Sequence, residues 1–297
     1  MTTPINKLPA SAGAQWLLDA FALLRRAPLG LGMLGVTWGG LTLVALAGSL
    51  LNPTLGLVLQ LALSLLGPFL FAGLLWAVRE VDGGRPVQPG QLFHEVRGAH
   101  APALLATLLP QLAVGIVLGV LFLALVGTDG LQRITEVAQK IQAAQAAGQQ
   151  PDPALVEALP VGRVLLCLLL ALAAVPVVVG LIFIAVPQVV FSNSPGLAAM
   201  RTSLRASLHN LPAVLVFLLL MLVTLVSLTV GVQIIAMVLQ LLAGATVAVF
   251  VANLLMMGLL MPLLAGVAFY AWRQMLGAPE ALATVPRAPL PPGQIEL

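Results

Sequence analysis

His94, Glu95, His100 and His209 are the side chains best suited to acid–base or metal chemistry, and their spacing fits neither. Metal sites place His, Cys or carboxylate ligands at short recurring intervals, and no such interval occurs here. The four could converge near the cytoplasmic face, although on any helix His94 and Glu95 point apart. Serines are numerous, but no Gly-x-Ser-x-Gly turn and no carboxylate–histidine arrangement is readable that would activate one. No Gly-rich phosphate loop is present. Cys167, the single cysteine, lies inside an apolar run, where it reads as a small core or lipid-facing residue with no disulfide partner in the chain. The expectation is a protein with no catalytic residue, no metal and no cofactor, in which the histidines are interfacial.

The polar residues inside the apolar runs are Gln60, Ser64, Thr224, Ser227 and Asn253. Side-chain hydrogen bonds between membrane helices contribute about 0.6 kcal/mol each, and that is their expected role. No ionisable residue sits mid-span, where ion-coupled transporters place one. Gln60, Thr224 and Asn253 remain the candidate intramembrane polar contacts, and a solute path would require them to line one cavity. The Gly35/Gly39 and Gly115/Gly119 pairs fit close helix packing within the chain.

These residues are set in a chain of 297 residues that is 60% hydrophobic and 8% charged, with a mean hydropathy of +1.09. Soluble domains carry about 25% charged residues, so lipid must be the solvent for much of this surface. Charged residues are absent from 27–78, 101–128, 164–200 and 206–272. A span needs about 20 apolar residues. The first and last runs each hold two spans and the middle two hold one each. The expected fold is all-α, a polytopic helical bundle with six transmembrane helices over about 28–51, 54–78, 102–127, 163–190, 212–237 and 243–272. These form one membrane domain over 1–277, with an external insertion at 128–160 and a Pro-rich tail, expected to be disordered, at 278–297. The first apolar run exceeds the hydrophobic region of a signal peptide, so no cleavage is expected there. A net charge of +3 spread over the whole length makes no nucleic-acid surface.

Short amphipathic segments precede three of the apolar runs. Ser11 is placed to cap a helix over 12–26, in which Gln15, Asp19, Ala22 and Arg26 form a narrow stripe and Trp16 lies on the apolar side. A segment from Pro89 to His100 should turn Leu92, Phe93 and Val96 inward. In the stretch Phe191–Pro212, Ser194 is placed to cap, and Leu197, Met200, Leu204, Leu208 and Leu211 form the expected buried face. Arg201, Arg205 and His209 flank that face on one side, and Ser203, Ser207 and Asn210 on the other. Arg25, Arg26, Arg201, Arg205 and His209 are the candidate contacts for lipid headgroups, with the arginine stems snorkelling from an apolar surface. The insertion should hold an amphipathic helix over about 130–147 and a short one to about Leu159. Pro176 and Pro187 should kink the fourth span.

The segments align on Pro28, Pro102 and Pro212, each followed by an apolar hairpin. Pro68 precedes Arg79 by the same interval as Pro262 precedes Arg273, with Ala72-Gly73 and Ala265-Gly266 between. The chain thus reads as a threefold parallel repeat of surface helix plus hairpin. With the N-terminus cytoplasmic, ten of the 13 Lys and Arg face inside and three (Arg133, Lys140, Arg163) face outside. That asymmetry satisfies the positive-inside rule and places both termini in the cytoplasm.

The stretches L-P-A-S-A-G-A-Q-W-L-L-D-A-F-A-L-L-R-R-A-P, G-R-P-V at 84–87 and S-P-G-L-A-A-M-R-T-S-L-R-A-S-L-H-N at 194–210 resemble a family of uncharacterised bacterial six-helix membrane proteins. The resemblance covers about 7–275 without 128–160. More loosely, the pattern is similar to the membrane domain of some glycerophosphodiester phosphodiesterases, whose catalytic domain has no counterpart here. It implies a bacterial inner-membrane location and supplies no substrate or site residue. The expectation is a non-enzymatic integral membrane protein acting through membrane lipids or a membrane-protein partner, with a transporter or channel for a small or lipidic solute as the alternative.

Overall fold

The computed structural model describes residues 4–146 and 159–277. The helices in chain order are α1 (Ala12–Arg26), α2 (Pro28–Leu51), α3 (Pro53–Asp82), a 3-10 segment (Pro89–Arg97), α4 (Ala101–Ala106), α5 (Leu109–Ala146), α6 (Val161–Ile182), α7 (Ala185–Ser192), α8 (Gly196–His209), α9 (Leu211–Ala243) and α10 (Ala245–Leu276). The described residues contain no strand. Six helical stretches are long and apolar enough to cross a bilayer: Pro28–Leu51, Pro53–Asp82, Ala101–Ala144, Val161–Ser192, Leu211–Ala243 and Ala245–Leu276. The protein is an all-α multi-pass integral membrane protein.

Prolines and glycines set the joints. Pro28 and Pro53 stand at N1 of α2 and α3, and Pro212 at N2 of α9, where a missing N–H costs nothing. Asn52 caps α3 by accepting from the Thr54 and Leu55 N–H groups. Two expected side-chain caps do not form: neither the Ser11 nor the Ser194 hydroxyl bonds the helix after it, and Ser194 Oγ accepts from Gln188 instead.

The third and fourth spans are less regular than expected. The third breaks at Thr107–Leu108, between α4 and α5. Gly127, at φ 73 and ψ 171, then kinks α5, so the span ends there as expected and a second helix runs through the insertion as far as Ala146, where a helix over 130–147 is expected. The helix expected up to Leu159 lies almost wholly outside the described residues, as does the tail at 278–297. The fourth span passes Pro176 unbroken and parts at Phe183–Ile184. Pro187 has no N–H for the Phe183 carbonyl, so the helical ladder fails one turn before it.

The hydrophobic core sits at one end of the molecule, the end that carries α1, the 3-10 segment and α8. Trp16, Leu23, Leu70, Leu74, Leu92, Ile184, Leu263 and Met275 are all completely or almost completely buried there. Towards the other end the spans splay, and Leu50, Leu51, Leu241 and Leu242 are exposed. Spans α2 and α10 stay together along their length because glycines allow it: a Cβ on Gly35 would overlap the Met257 carbonyl. The Gly35/Gly39 pair therefore packs as expected. The Gly115/Gly119 pair does not, since a Cβ at either position meets nothing within 4 Å. The α5–α6 hairpin packs on itself and, through α6, on α8.

The three expected units are present, and they are interlocked. Each surface segment packs on the second span of the preceding unit, at a glycine. The 3-10 segment crosses α3 at Gly73, where a Cβ would overlap the Leu92 carbonyl. Helix α8 crosses α6 at Gly180, against Leu204. Helix α1 crosses α10 at Gly266, against Ala20. The start of each segment also meets the first turn of the preceding unit's first span: Val87 against Gly30, Gly196 against the Ala103 carbonyl, and Gly13 against the Ala213 carbonyl. Unit one leans on unit three, three on two and two on one, so the head-to-tail contacts close into a ring.

This arrangement corrects three expectations. Trp16 faces protein, not lipid: it stacks near Phe183 and Phe217 and donates from Nε1 to Gln274 Oε1 at 2.9 Å. In α8 the buried face is Ala199, Met200, Ser203, Ala206 and Ser207, followed by Asn210, while Leu197 and Leu208 are 62% and 61% exposed. In the 3-10 segment, a period of three puts Leu92 and Glu95 on the inner face, leaving Phe93 and Val96 exposed.

Candidate functional site

Two of the ring's joints are closed by buried polar side chains, Asn210 and Glu95. In each unit the residue two before the aligned proline reaches towards the link that leads into the next unit's surface segment. In unit three this residue is Asn210, which is buried. Its Oδ1 accepts from the Leu8 N–H at 2.7 Å, and its Nδ2 donates to the Asn6 carbonyl at 3.0 Å. Asn6 continues the strap, donating from Nδ2 to the Gln274 carbonyl at 3.0 Å. The N-terminal lead is thereby fixed across the ends of α8 and α10.

In unit two the corresponding residue is His100. Its Nδ1 bonds Glu95 Oε2 at 2.9 Å and its Nε2 bonds Asn193 Oδ1 at 2.5 Å. Asn193 is held in the left-handed region, φ 49 and ψ 33, between α7 and α8. Glu95 is 2% exposed, and its second oxygen accepts from Trp76 Nε1 at 2.7 Å. The charged imidazolium satisfies both partners as a donor, and Asn193 and then Glu95 push its pKa above the ordinary value. A carboxylate–histidine pair therefore exists between two of the side chains that the sequence singled out, and His94 and Glu95 both meet Trp76 on the 3-10 turn. The far side of the imidazole is occupied by an amide oxygen and not by a serine hydroxyl.

In unit one the residue is Arg26. It is exposed and forms no ion pair among the described residues. Beside it lies an open cavity of about 550 Å³ lined by Arg26, Gly30, Asp82, Gly84, Arg85 and Val87, among others. Asp82, which occupies the place corresponding to the strapped residues of the other joints, turns to α10. It accepts from Tyr270 Oη at 2.8 Å and pairs with Arg273 Nη1 at 2.5 Å. Arg85 pairs with Glu80.

The second spans of the three units meet near the ring centre in an aromatic cluster of Trp76, Phe191, Phe269 and Trp272. The Arg79 guanidinium lies 5.2 Å from the Trp76 ring and 5.4 Å from the Phe191 ring. Gln188 anchors the cluster by accepting from Trp272 Nε1 at 2.8 Å.

The candidate headgroup contacts Arg25, Arg26, Arg201, Arg205 and His209 are all exposed, at the two surface helices α1 and α8. None is ion-paired among the described residues. The candidate intramembrane residues are not brought together. Gln60 is exposed on α3. Thr224 donates to the Leu220 carbonyl of its own helix at 2.8 Å. Asn253 accepts from Thr42 on α2 at 3.1 Å. The cavities beside Arg26, Gly127 and Cys167 are lined by other residues. No group of three or more metal-ligating side chains occurs among the described residues.

Comparison of the chain with protein-family models, with curated proteins and with solved structures finds no match.

Proposed function

We propose that this integral membrane protein is non-enzymatic and acts through contacts with membrane lipid and with a membrane-protein partner, in a bacterial inner membrane with both termini cytoplasmic. The observation that carries the reading is the display of unpaired basic residues beside exposed leucines. Arg201, Arg205 and His209 stand on α8 with Leu197, Leu208 and Leu211, and Arg25 and Arg26 adjoin Leu29. Basic residues near an anionic bilayer surface contribute about 1 kcal/mol each, and exposed leucines alongside them add apolar burial. The basic asymmetry of the sequence supports the orientation, and the resemblance to bacterial six-helix proteins supports the location.

The test is native mass spectrometry of the full chain in detergent, titrated with phosphatidylglycerol. Replacing Arg201 and Arg205 together with Gln should lower anionic-lipid retention roughly fivefold to thirtyfold, as the loss of about 1–2 kcal/mol requires. Unchanged retention would count against the lipid part of the reading.

A further inference from the structure

We infer that the open joint beside Arg26 is a binding site for a phosphate group, supplied by the headgroup of an anionic phospholipid. The inference rests on the lipid-contact reading above and locates a discrete site within it.

The ring's own near-symmetry carries the argument. Two of its three joints are closed by side chains of the chain itself: Asn210 onto Asn6 and Leu8, and His100 onto Asn193. At the third joint the residue in the same place is Arg26, which reaches no partner among the described residues, and a cavity of about 550 Å³ stands there. An arginine offers only donors, so the group that closes this joint must supply acceptors. Asp82 has acceptors but has committed its oxygens to Tyr270 and Arg273. Glu80 is committed to Arg85. Arg26 is thus the unpaired guanidinium on the cavity among the described residues, Arg85 beside it is held by Glu80, and the nearby carboxylates are already neutralised.

A tetrahedral phosphate matches this lining. It accepts from a guanidinium fork at two oxygens, and Gly84, where a Cβ would meet nothing within 4 Å, leaves one wall of the cavity open. The position suits a lipid better than a free ion. The cavity opens where α1 turns into α2, at the point where the chain enters the bilayer. Leu29 and Met33, one helical turn apart, are exposed there and offer an apolar surface for acyl chains.

The experiment uses the full-length protein in detergent, with native mass spectrometry to count retained phosphatidylglycerol and phosphatidylcholine as the control lipid. Wild type should hold one phosphatidylglycerol more tightly than the rest. Arg26→Gln should weaken that first lipid about tenfold, Arg85→Gln should weaken it in the same direction, and Arg26→Lys should restore part of it. Arg201→Gln should leave it within about twofold while reducing the later lipids. Size-exclusion elution and helix content identify any variant that fails to fold, and Arg26→Lys keeps the comparison valid if Arg26→Gln is one. Inorganic phosphate at millimolar concentration should not displace the lipid; displacement would support the site with free phosphate as its ligand. Equal first-lipid affinity in Arg26→Gln and wild type overturns the inference. If Arg201→Gln weakens the first lipid as much as Arg26→Gln does, the surface reading stands and the site does not. If no exchange changes retention, both fail.

Discussion

His100 needs both ring nitrogens protonated to donate to Glu95 and Asn193 at once. An imidazole in an unfolded chain titrates near 6.5, and the folded protein holds this proton more tightly. The bonded trio therefore contributes its full stability below about pH 6.5 and loses it as the pH rises through the higher folded-state value. The groups around it are Glu95, Asn193 and Trp76, with Arg79 and His94 on the far side of the indole. Thermal unfolding in detergent should show wild type losing stability as the pH rises above about 6.5, and His100→Gln should remove that part of the profile. A pH dependence that survives the substitution would contradict the assignment. At this scale the sequence disclosed the exposed arginines, because charge in a chain this apolar has few places to go. It offered Glu95 and His100 as side chains that could meet, but not the bond of His100 to Asn193, which joins residues 93 positions apart.

Helix α8 shows what polarity does and does not report in a membrane protein. In water an apolar stripe points inward. Here the outside of the protein is apolar too, so Leu197 and Leu208 face out, and the small polar side packs in, where close approach is needed. Ser203 explains why. Its hydroxyl donates to the Gly180 carbonyl at 2.8 Å and accepts from the Ile184 N–H at 3.2 Å, so it repairs the ladder that breaks ahead of Pro187. Ser203→Ala leaves the Ile184 N–H buried without a partner and the Gly180 carbonyl with only the 3.5 Å bond from Ser207 Oγ, and should cost about 1–3 kcal/mol. Leu208→Ala on the outer face should stay within about 0.5 kcal/mol. Thermal unfolding of the two variants in detergent checks the pair, and the reverse order would restore the leucine face as the buried one. The number of spans and the starts of α2 and α9 were legible from charge-free runs and prolines. The direction of α8 was not, since two apolar environments compete for its leucines.

The whole molecule is a ring of three interlocked units. The prolines at 28, 102 and 212 disclosed the repeat, but order along a chain does not say which hairpin a surface helix will cover. That information lies in the matching of glycines to crossing points, Gly73, Gly180 and Gly266 among them, and it is a property of pairs far apart in sequence. Gly13 tests the closure. A side chain there overlaps the Ala213 carbonyl, whereas Gly40 has open space around its Cβ position. Gly13→Leu should destabilise the folded protein by about 1–3 kcal/mol through overpacking, and Gly40→Leu should be near neutral. Equal unfolding temperatures in detergent would mean that α1 is not held in the ring.

That interlocking also sets a timetable for synthesis. Ala20 finds its place against Gly266, a residue made roughly 250 positions later, which at about 5–20 residues per second is on the order of 10–50 s. Until then α1, with Trp16 and Leu23 still unburied, must wait at the membrane surface or in the care of a chaperone. Helix α1, made before the six spans described here, is thus among the last of these elements to dock, and the ring stays open until α10 has emerged.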